Sequence, residues 1–415
     1  MSAPDQPLGI YNPGNFCYIN SSIQCLKYIK PVINLINDSK YFDSYISAIF
    51  DLAGISRLMP PALIKEKINK LIETLDINPN VKALINRFDS TPDDFKGMLD
   101  KIAKESNKIY IYIGLRKLLI QLLKPTASIA INAKVFYDIC AFATHNTSMA
   151  HIVDGGQNDA VEFLMCILDY LHDSHSQPIG MNIPAEILKL TDAELDVLPL
   201  GKRIRYGLLR DINTRYAKAY TTFNKELYFY MLNMVCCAKC NHISLNYSPY
   251  NILCLSLNNT SDGQTIYDCM DKMFSREVLD CEYKCEKCKN PDGNTIEKKI
   301  LTRPQTLIIC LKRFEYHNPL FGPTKINSNV TYPLILDVSK YYPIDEGEPV
   351  NNIYKLTCVV NHIGRVNFGH YYSYCYDAER NHWYNFNDDR VNVIPPDIVV
   401  NNNNAYILFY QKVKV

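Results

Sequence analysis

The chain has 415 residues, 47% hydrophobic and 21% charged, which is ample to bury a large core in one large domain or in roughly two to three smaller ones. Its 44 Lys+Arg against 43 Asp+Glu leave a net charge of +1, which excludes a global field drawing it to nucleic acid or an anionic membrane, so any partner must be recognised locally. The N-terminus shows no basic-then-apolar leader and no apolar run reaches the roughly 20 residues that span a bilayer, so the fifteen cysteines are expected as reduced thiols or metal ligands in a cytoplasmic or nuclear protein.

The first third is expected to be mostly helical. A turn-rich loop of Asn12, Pro13, Gly14 and Asn15 runs into a helix beginning at Cys17, with Ile19, Ile23 and Leu26 at helical spacing. A thiol at a helix N-terminus meets the positive end of the dipole and unpaired N–H groups, which favour thiolate over the free thiol's pKa of about 8.5. The same N–H groups can hold an oxyanion, and Asn12 can add a side-chain amide. By local pattern alone, Cys17 reads equally well as a small buried residue that starts a helix. Further helical stretches are expected within 61–124, separated by Pro79 and Pro92. Asn158–His172 repeats the pattern through Val161, Leu164, Ile167, Leu168 and Leu171. Residues 185–220 also read as helical, with Lys202, Arg203, Arg205, Arg210, Arg215 and Lys218 on a solvated face.

From about Leu227 the texture turns to strands: Ile252–Leu257, Leu307–Phe314, Tyr354–Asn361, His370–Tyr376 and Ala405–Val413 are short, apolar and rich in Tyr, Ile and Val. Helices first and strands later predict an α+β fold. Within this half, Cys237 with Cys240 and Cys285 with Cys288 form two Cys-x-x-Cys units, each a turn that points two sulfurs at one metal. Together they predict one tetrahedral, structural Zn²⁺ with no open position, stapling a long β insertion. Cys236 and Cys281 lie near enough to compete as ligands.

A thiolate nucleophile needs a proton acceptor held by a third group. Of nine histidines, His370 follows Gly369 at the start of a predicted strand, and the polar turn after Trp383 carries Asn387 and Asp388. Either could accept from the imidazole Nδ1–H and fix its tautomer. His362 and His382 are rivals for the base.

Taken in order, these segments resemble the ubiquitin-specific protease family of deubiquitinases from Gly9 to Val413. Asn12, Gly14, Asn15, Cys17, Tyr18, Asn20 and Ser21 are similar to the family's Cys box, and Gln157 to Leu164 to its Gln-x-Asp box. Thr306 to Phe314 resemble its central strand, and Gly369 to Tyr371 with Trp383 to Asp388 its His box. The resemblance implies a papain-like cysteine protease with a helical thumb, an antiparallel β palm and zinc-tipped β fingers. One catalytic domain over 1–415 is expected: thumb 1–226 with an insertion at 178–225, fingers 227–300 and palm 301–415. Nothing appended is expected beside it.

The resemblance further implies nucleophile Cys17, general base His370, orienting residue Asn387 with Asp388 supporting or sharing that role, and Asn12 as oxyanion amide. Its substrate tail is extended, carries arginines and ends in two glycines. Acidic residues should meet those arginines bidentately: Asp159 and Glu162, one helical turn apart, are the candidates, with Gln157 and Gly369 as further substrate-binding residues. Loops at His317–Pro323 and Arg365–Gly369 could act as lids. Two departures are Phe16, where the family usually has Thr, and Cys310, where the central strand often has His. The expected activity is hydrolysis after the C-terminal glycine of ubiquitin by a monomer. The rivals are a protease for another ubiquitin-like modifier, a non-catalytic ubiquitin-binding scaffold and a zinc-dependent nucleic-acid binder, the last disfavoured by the charge balance.

Overall fold

The loop at Asn12–Asn15 does turn into a helix, Cys17–Leu26, whose ten residues are all buried. A computed structural model describes residues 6–37, 111–112, 114–124, 129–144, 147–258, 263–279, 283–315, 324–342, 352–366 and 368–413 of the chain. Most of 61–124, the loop 317–323 and Cys281 therefore lie outside the described residues, though 111–123, with 113 aside, are helical. The α+β expectation holds.

An eight-stranded sheet forms the body. Its order from one edge is Arg390–Ile394, His382–Asn387, Phe368–Asp377, Ile353–Arg365, Ala405–Lys412, Thr306–Lys312 and Ile252–Ser256, with Ile335–Asp337 pairing beside Ile353–Arg365. Both faces are covered, which is why the central strands read as nearly unbroken apolar runs. Ile308 and Cys310 point with Cys358, Val360, Cys375 and Ile407 toward the helices Cys17–Leu26 and Ala160–His175. Leu307, Ile309 and Leu311 alternate to the other face, against Ile266, Met270 and Phe274 of the helix Ile266–Phe274. At the end of the central strand Arg313 is fully buried and donates to the carbonyls of Ala405, Ile326 (3.1 Å) and Ser328 (3.0 Å), tying three segments together.

Two particulars differ from expectation. The sheet is not wholly antiparallel, because Ile252–Ser256 pairs in parallel with Thr306–Lys312. A period-2 apolar pattern is the same for either direction, so sequence could not tell them apart. The same strand lies within 227–300 but belongs to the large sheet, and only Phe229–Cys236, Ile243–Tyr250, Glu277–Val278 and Thr295–Ile300 make up a separate four-stranded sheet.

The segment between thumb and fingers has a defined seat. Its helix Leu200–Tyr216 packs on the edge strand Ile243–Tyr250. A Cβ on Gly207 would stand 2.3 Å from Tyr247 Oη, so glycine is what lets helix and strand approach. Of the basic run, Lys202, Arg205, Arg215 and Lys218 are exposed as expected, while Arg203 and Arg210 are half-buried. Arg203 bonds Asp196 at 2.9 Å and the Ile243 carbonyl at 2.7 Å, Arg210 bonds Asp192 at 3.2 Å and Arg215 bonds Asp211 at 2.6 Å.

Candidate active site

Three distant segments meet at Cys17. Asn12 Oδ1 accepts from the backbone N–H of Gly14 (3.0 Å) and Phe16 (3.1 Å), folding the loop so that the helix begins at Cys17. Phe16 stacks on Tyr137 with ring centroids 4.3 Å apart and an interplanar angle of 5°, so this departure is absorbed by packing beneath the loop. The thiol sits buried at the helix N-terminus.

His370 comes from the strand Phe368–Asp377, which packs directly on the helix Cys17–Leu26. Its Nε2 lies 2.6 Å from Asn387 Oδ1, on the neighbouring strand His382–Asn387. The bond is therefore at Nε2 rather than the Nδ1 expected from sequence, which leaves Nδ1 for Cys17. Ring orientation depends on how the strand approaches the helix, and residue order carries no such information. The Cys17 thiol beside it, then the Asn387 oxygen, push His370 up to about 9 against the opposing effect of burial. A raised imidazole means that the imidazolium is favoured, as it is in a thiolate–imidazolium pair.

Asp388 does not bond the imidazole. Its Oδ2 accepts from Asn12 Nδ2 at 3.0 Å and its Oδ1 from Asn20 Nδ2 at 2.8 Å, while its carbonyl accepts from Ile10 N–H at 2.8 Å. It sits in the left-handed region at φ 51°, a conformation Asp tolerates and one that turns the carboxylate toward the loop. Gly9 makes the approach possible, since a Cβ there would come within 2.6 Å of the Asp389 carbonyl oxygen. Asn20 enters the sequence reading only as a member of the Cys box, with no role, and Tyr137 does not enter it. Tyr137 Oη donates to Asn20 Oδ1 at 2.5 Å, so Asn20 is buried with both ends of its amide engaged. The available signal was a polar residue at i+3 from Cys17 on a helix otherwise buried throughout.

Gln157 and Gly369 meet each other. Gln157 Nε2 donates to the Gly369 carbonyl (3.2 Å) and its Oε1 accepts from Gly369 N–H (3.1 Å), clasping the backbone beside His370. Beneath it His362, the rival base, is 1% exposed, and burial first, then the neighbouring cations, push it down to about 3. It is neutral and closed off, which removes it from contention for proton transfer. His382 lies at the far end of its strand from Asn387 and bonds the Arg380 carbonyl.

Asp159 and Glu162 do not present a joint acidic face. Asp159 caps the helix Ala160–His175, accepting from Val161 N–H at 2.6 Å and Glu162 N–H at 3.4 Å, and its Oδ2 takes the Tyr406 hydroxyl at 2.6 Å. Burial pushes its carboxyl up, against the lowering effect of these bonds. Glu162 is exposed, with His151 Nε2 at 3.5 Å. Cys310 lies behind them, buried, in register with Cys254.

Cys237, Cys240, Cys285 and Cys288 gather at the end of the four-stranded sheet, with all four sulfurs within 4.8 Å of one another. The pairs Cys237–Cys288 and Cys240–Cys285 stand 3.5 and 3.7 Å apart. These four could hold a metal ion; Cys236 stays in its strand, outside the cluster.

Residues 8–410 match the family model described as ubiquitin carboxyl-terminal hydrolase. A probable ubiquitin carboxyl-terminal hydrolase, R319, of Acanthamoeba polyphaga mimivirus is 32% identical over 212 residues, 48% of this chain and 44% of that protein. Ubiquitin carboxyl-terminal hydrolase 36 of Drosophila grimshawi is 25% identical over 97% of this chain and 25% of its own length. This chain thus spans less than half of these relatives. Among solved structures, the SAGA Ubp8/Sgf11/Sus1/Sgf73 DUB module bound to ubiquitin aldehyde matches 100% of this chain and 72% of that one, with a TM-score of 0.63 and 18% identity. The shared fold is what that likeness carries. No described helix is long and apolar enough to cross a membrane.

Proposed function

The chain belongs to the ubiquitin carboxyl-terminal hydrolase family, and from that premise we propose that it is a cysteine deubiquitinase, cleaving the isopeptide or peptide bond after the terminal glycine of ubiquitin on conjugated proteins. The observation that carries this reading is the Cys17–His370–Asn387 arrangement, with a thiol at a helix start on one side of an imidazole and a 2.6 Å acceptor on the other.

In the proposed reaction the Cys17 thiolate attacks the glycine carbonyl. The resulting oxyanion is met by helix N-terminal N–H groups and by the Asn12 amide, which Asp388 holds in place. The C–N bond breaks as His370 gives its proton to the leaving lysine amine, leaving a thioester on Cys17. His370 then takes a proton from water, whose oxygen attacks the thioester and returns Cys17 as thiolate. Asn387 fixes the ring, and the Gln157 clasp fixes the backbone beside it. Exposed Glu162 is the group left to meet a substrate arginine, and Asp159, with its oxygens already engaged, shapes the channel wall with Tyr406.

The four-cysteine cluster is proposed as a structural Zn²⁺ site. A Zn–S length of about 2.3 Å puts tetrahedral sulfurs about 3.8 Å apart, close to the 3.5 and 3.7 Å separations here. Bound there, the ion staples the tip of the four-stranded sheet and takes no part in the chemistry.

The test is labelling with a ubiquitin probe carrying a C-terminal electrophile. Wild type should form an adduct, and Cys17→Ala should form none. An adduct persisting in Cys17→Ala would overturn the assignment. Comparing fluorogenic ubiquitin with other modifiers separates ubiquitin from its relatives as substrate.

A further inference from the structure

A second group of sulfurs lies behind the proposed catalytic residues. Cys25 is in the last turn of the nucleophile helix, and Cys358 and Cys375 are register partners on adjacent antiparallel strands, the second of which also carries His370. All three are 0% exposed, and their sulfurs lie within 4.8 Å of one another, with Cys25 and Cys375 3.9 Å apart. We propose that Cys25, Cys358 and Cys375 form a three-coordinate thiolate site for a soft monovalent cation, Cu(I), distinct from the four-cysteine cluster.

Coordination number comes first. Among the described residues no fourth His, Cys, Asp or Glu ligand atom joins this group. Zn²⁺ in a structural site takes four ligands, so three sulfurs in a dry pocket suit it poorly, whereas soft thiolates select Cu(I). Spacing agrees. A metal–sulfur length of about 2.3 Å places the sulfurs of a planar three-coordinate centre about 4.0 Å apart, and Cys25 and Cys375 already stand at 3.9 Å. Occupation needs little movement of either element.

Charge is the third consideration, because a buried ion must be compensated. Lys27, two residues after Cys25, is 5% exposed. Its ammonium lies 4.6 Å from the Phe386 ring centroid and 4.9 Å from that of Tyr28. One Cu(I) with two thiolates carries −1, which this ammonium offsets, and the third sulfur can donate as a thiol. Tyr28, Asp377 and Arg380 form the rim above, with Arg380 Nη1 2.8 Å from Asp377 Oδ2. Delivery from a Cu(I) complex of a low-molecular-weight thiol balances by exchange: each cysteine that becomes a thiolate gives its proton to a departing carrier sulfur, and copper stays Cu(I).

The experiment uses the full-length, zinc-loaded chain with Cys17→Ala, which removes that thiol from the count. Cu(I)–glutathione is titrated anaerobically against a chromophoric Cu(I) chelator while protein-bound zinc is measured. The expected result is one tightly held Cu(I) equivalent that Cys358→Ala and Cys375→Ala each abolish, that Cys140→Ala (a buried cysteine elsewhere) retains, and that leaves zinc unchanged. Equal Cu(I) binding in Cys358→Ala, or Cu(I) uptake matched by zinc release, overturns the proposal. X-ray absorption on the protein without a cluster substitution tests it independently of how the variants fold. A shell of three sulfurs at about 2.3 Å supports the site, and a four-sulfur or nitrogen-containing shell refutes it.

Discussion

Replacing Asn387 by Ala removes the acceptor 2.6 Å from His370 Nε2 without touching the thiol or its helix. A hydrogen bond to a charged partner contributes about 1.5–3 kcal/mol, and the half-exposed setting of this imidazole argues for the lower end. About 1.4 kcal/mol corresponds to one pKa unit, so the variant's imidazole should titrate roughly one unit below the wild-type value of about 9. The sign follows from which form works. In the proposed reaction imidazolium protonates the leaving amine, so kcat/KM should fall as pH rises through about 9 in wild type, and roughly one unit earlier in Asn387→Ala. At neutral pH the loss of ring orientation should lower kcat/KM by about 10- to 100-fold, since misplacing a reacting group by about 1 Å costs on the order of 10²-fold. The assay is a pH profile of kcat/KM on a ubiquitin fluorogenic substrate, run beside Asp388→Asn. That variant removes a carboxylate that acts on His370 through space, so its alkaline limb should move less. An unmoved limb in Asn387→Ala with a full-unit move in Asp388→Asn would refute the assignment and make Asp388 the group that governs the ring.

Gly369→Ala would put a Cβ 2.0 Å from His362 Nε2 and 2.8 Å from the Arg365 carbonyl oxygen, displacing the start of the strand that carries His370. Overpacking of this kind costs about 1–3 kcal/mol, and probe labelling should fall further than thermal stability does. Gln157→Ala removes both bonds to Gly369 and should lower kcat by about 30-fold, at about 1 kcal/mol per bond, with the fold intact by circular dichroism. Stripping the proposed zinc with a chelator should melt the four-stranded sheet and raise KM for ubiquitin substrates, while alkylation of Cys17 by iodoacetamide keeps its rate, because the helix bearing Cys17 packs on the eight-stranded sheet and the four cysteines lie on the separate one. Gly207→Ala should lower Tm through its clash with the Tyr247 ring, at a cost of about 1–3 kcal/mol.

What could be read from sequence and what could not divides along physical lines. The helix at Cys17, the strand at His370 and the cysteine pairs rest on local spacing, so the residues carry them directly. The parallel pairing of Ile252–Ser256 does not, because side-chain alternation is blind to strand direction. The i, i+3 spacing of Asp159 and Glu162 predicts a shared face for a substrate arginine, but Asp159 also stands at an N-cap position, where the backbone N–H groups take its oxygen. Gln157 was read as a substrate contact, and only the closure of two distant segments shows that its amide matches the Gly369 backbone on both sides.

The division of labour between Asn387 and Asp388 could be settled least of all from sequence, and it has the largest consequence for the site. A carboxylate on the imidazole would stabilise imidazolium more strongly than a neutral amide oxygen does. In this fold that carboxylate has another task. Its two oxygens receive amides from Asn12 and Asn20, one from the loop before Cys17 and one from the helix after it. Turning Asp388 onto His370 would leave Asn20 Nδ2, on a buried residue, without its 2.8 Å acceptor and would free the Asn12 amide from the place the proposed oxyanion role needs. In the proposed reaction the neutral Asn387 serves His370, while the Asp388 charge locks the thiol's loop to the sheet. The left-handed backbone of Asp388, held by the Ile10 N–H on its carbonyl, keeps the two roles apart.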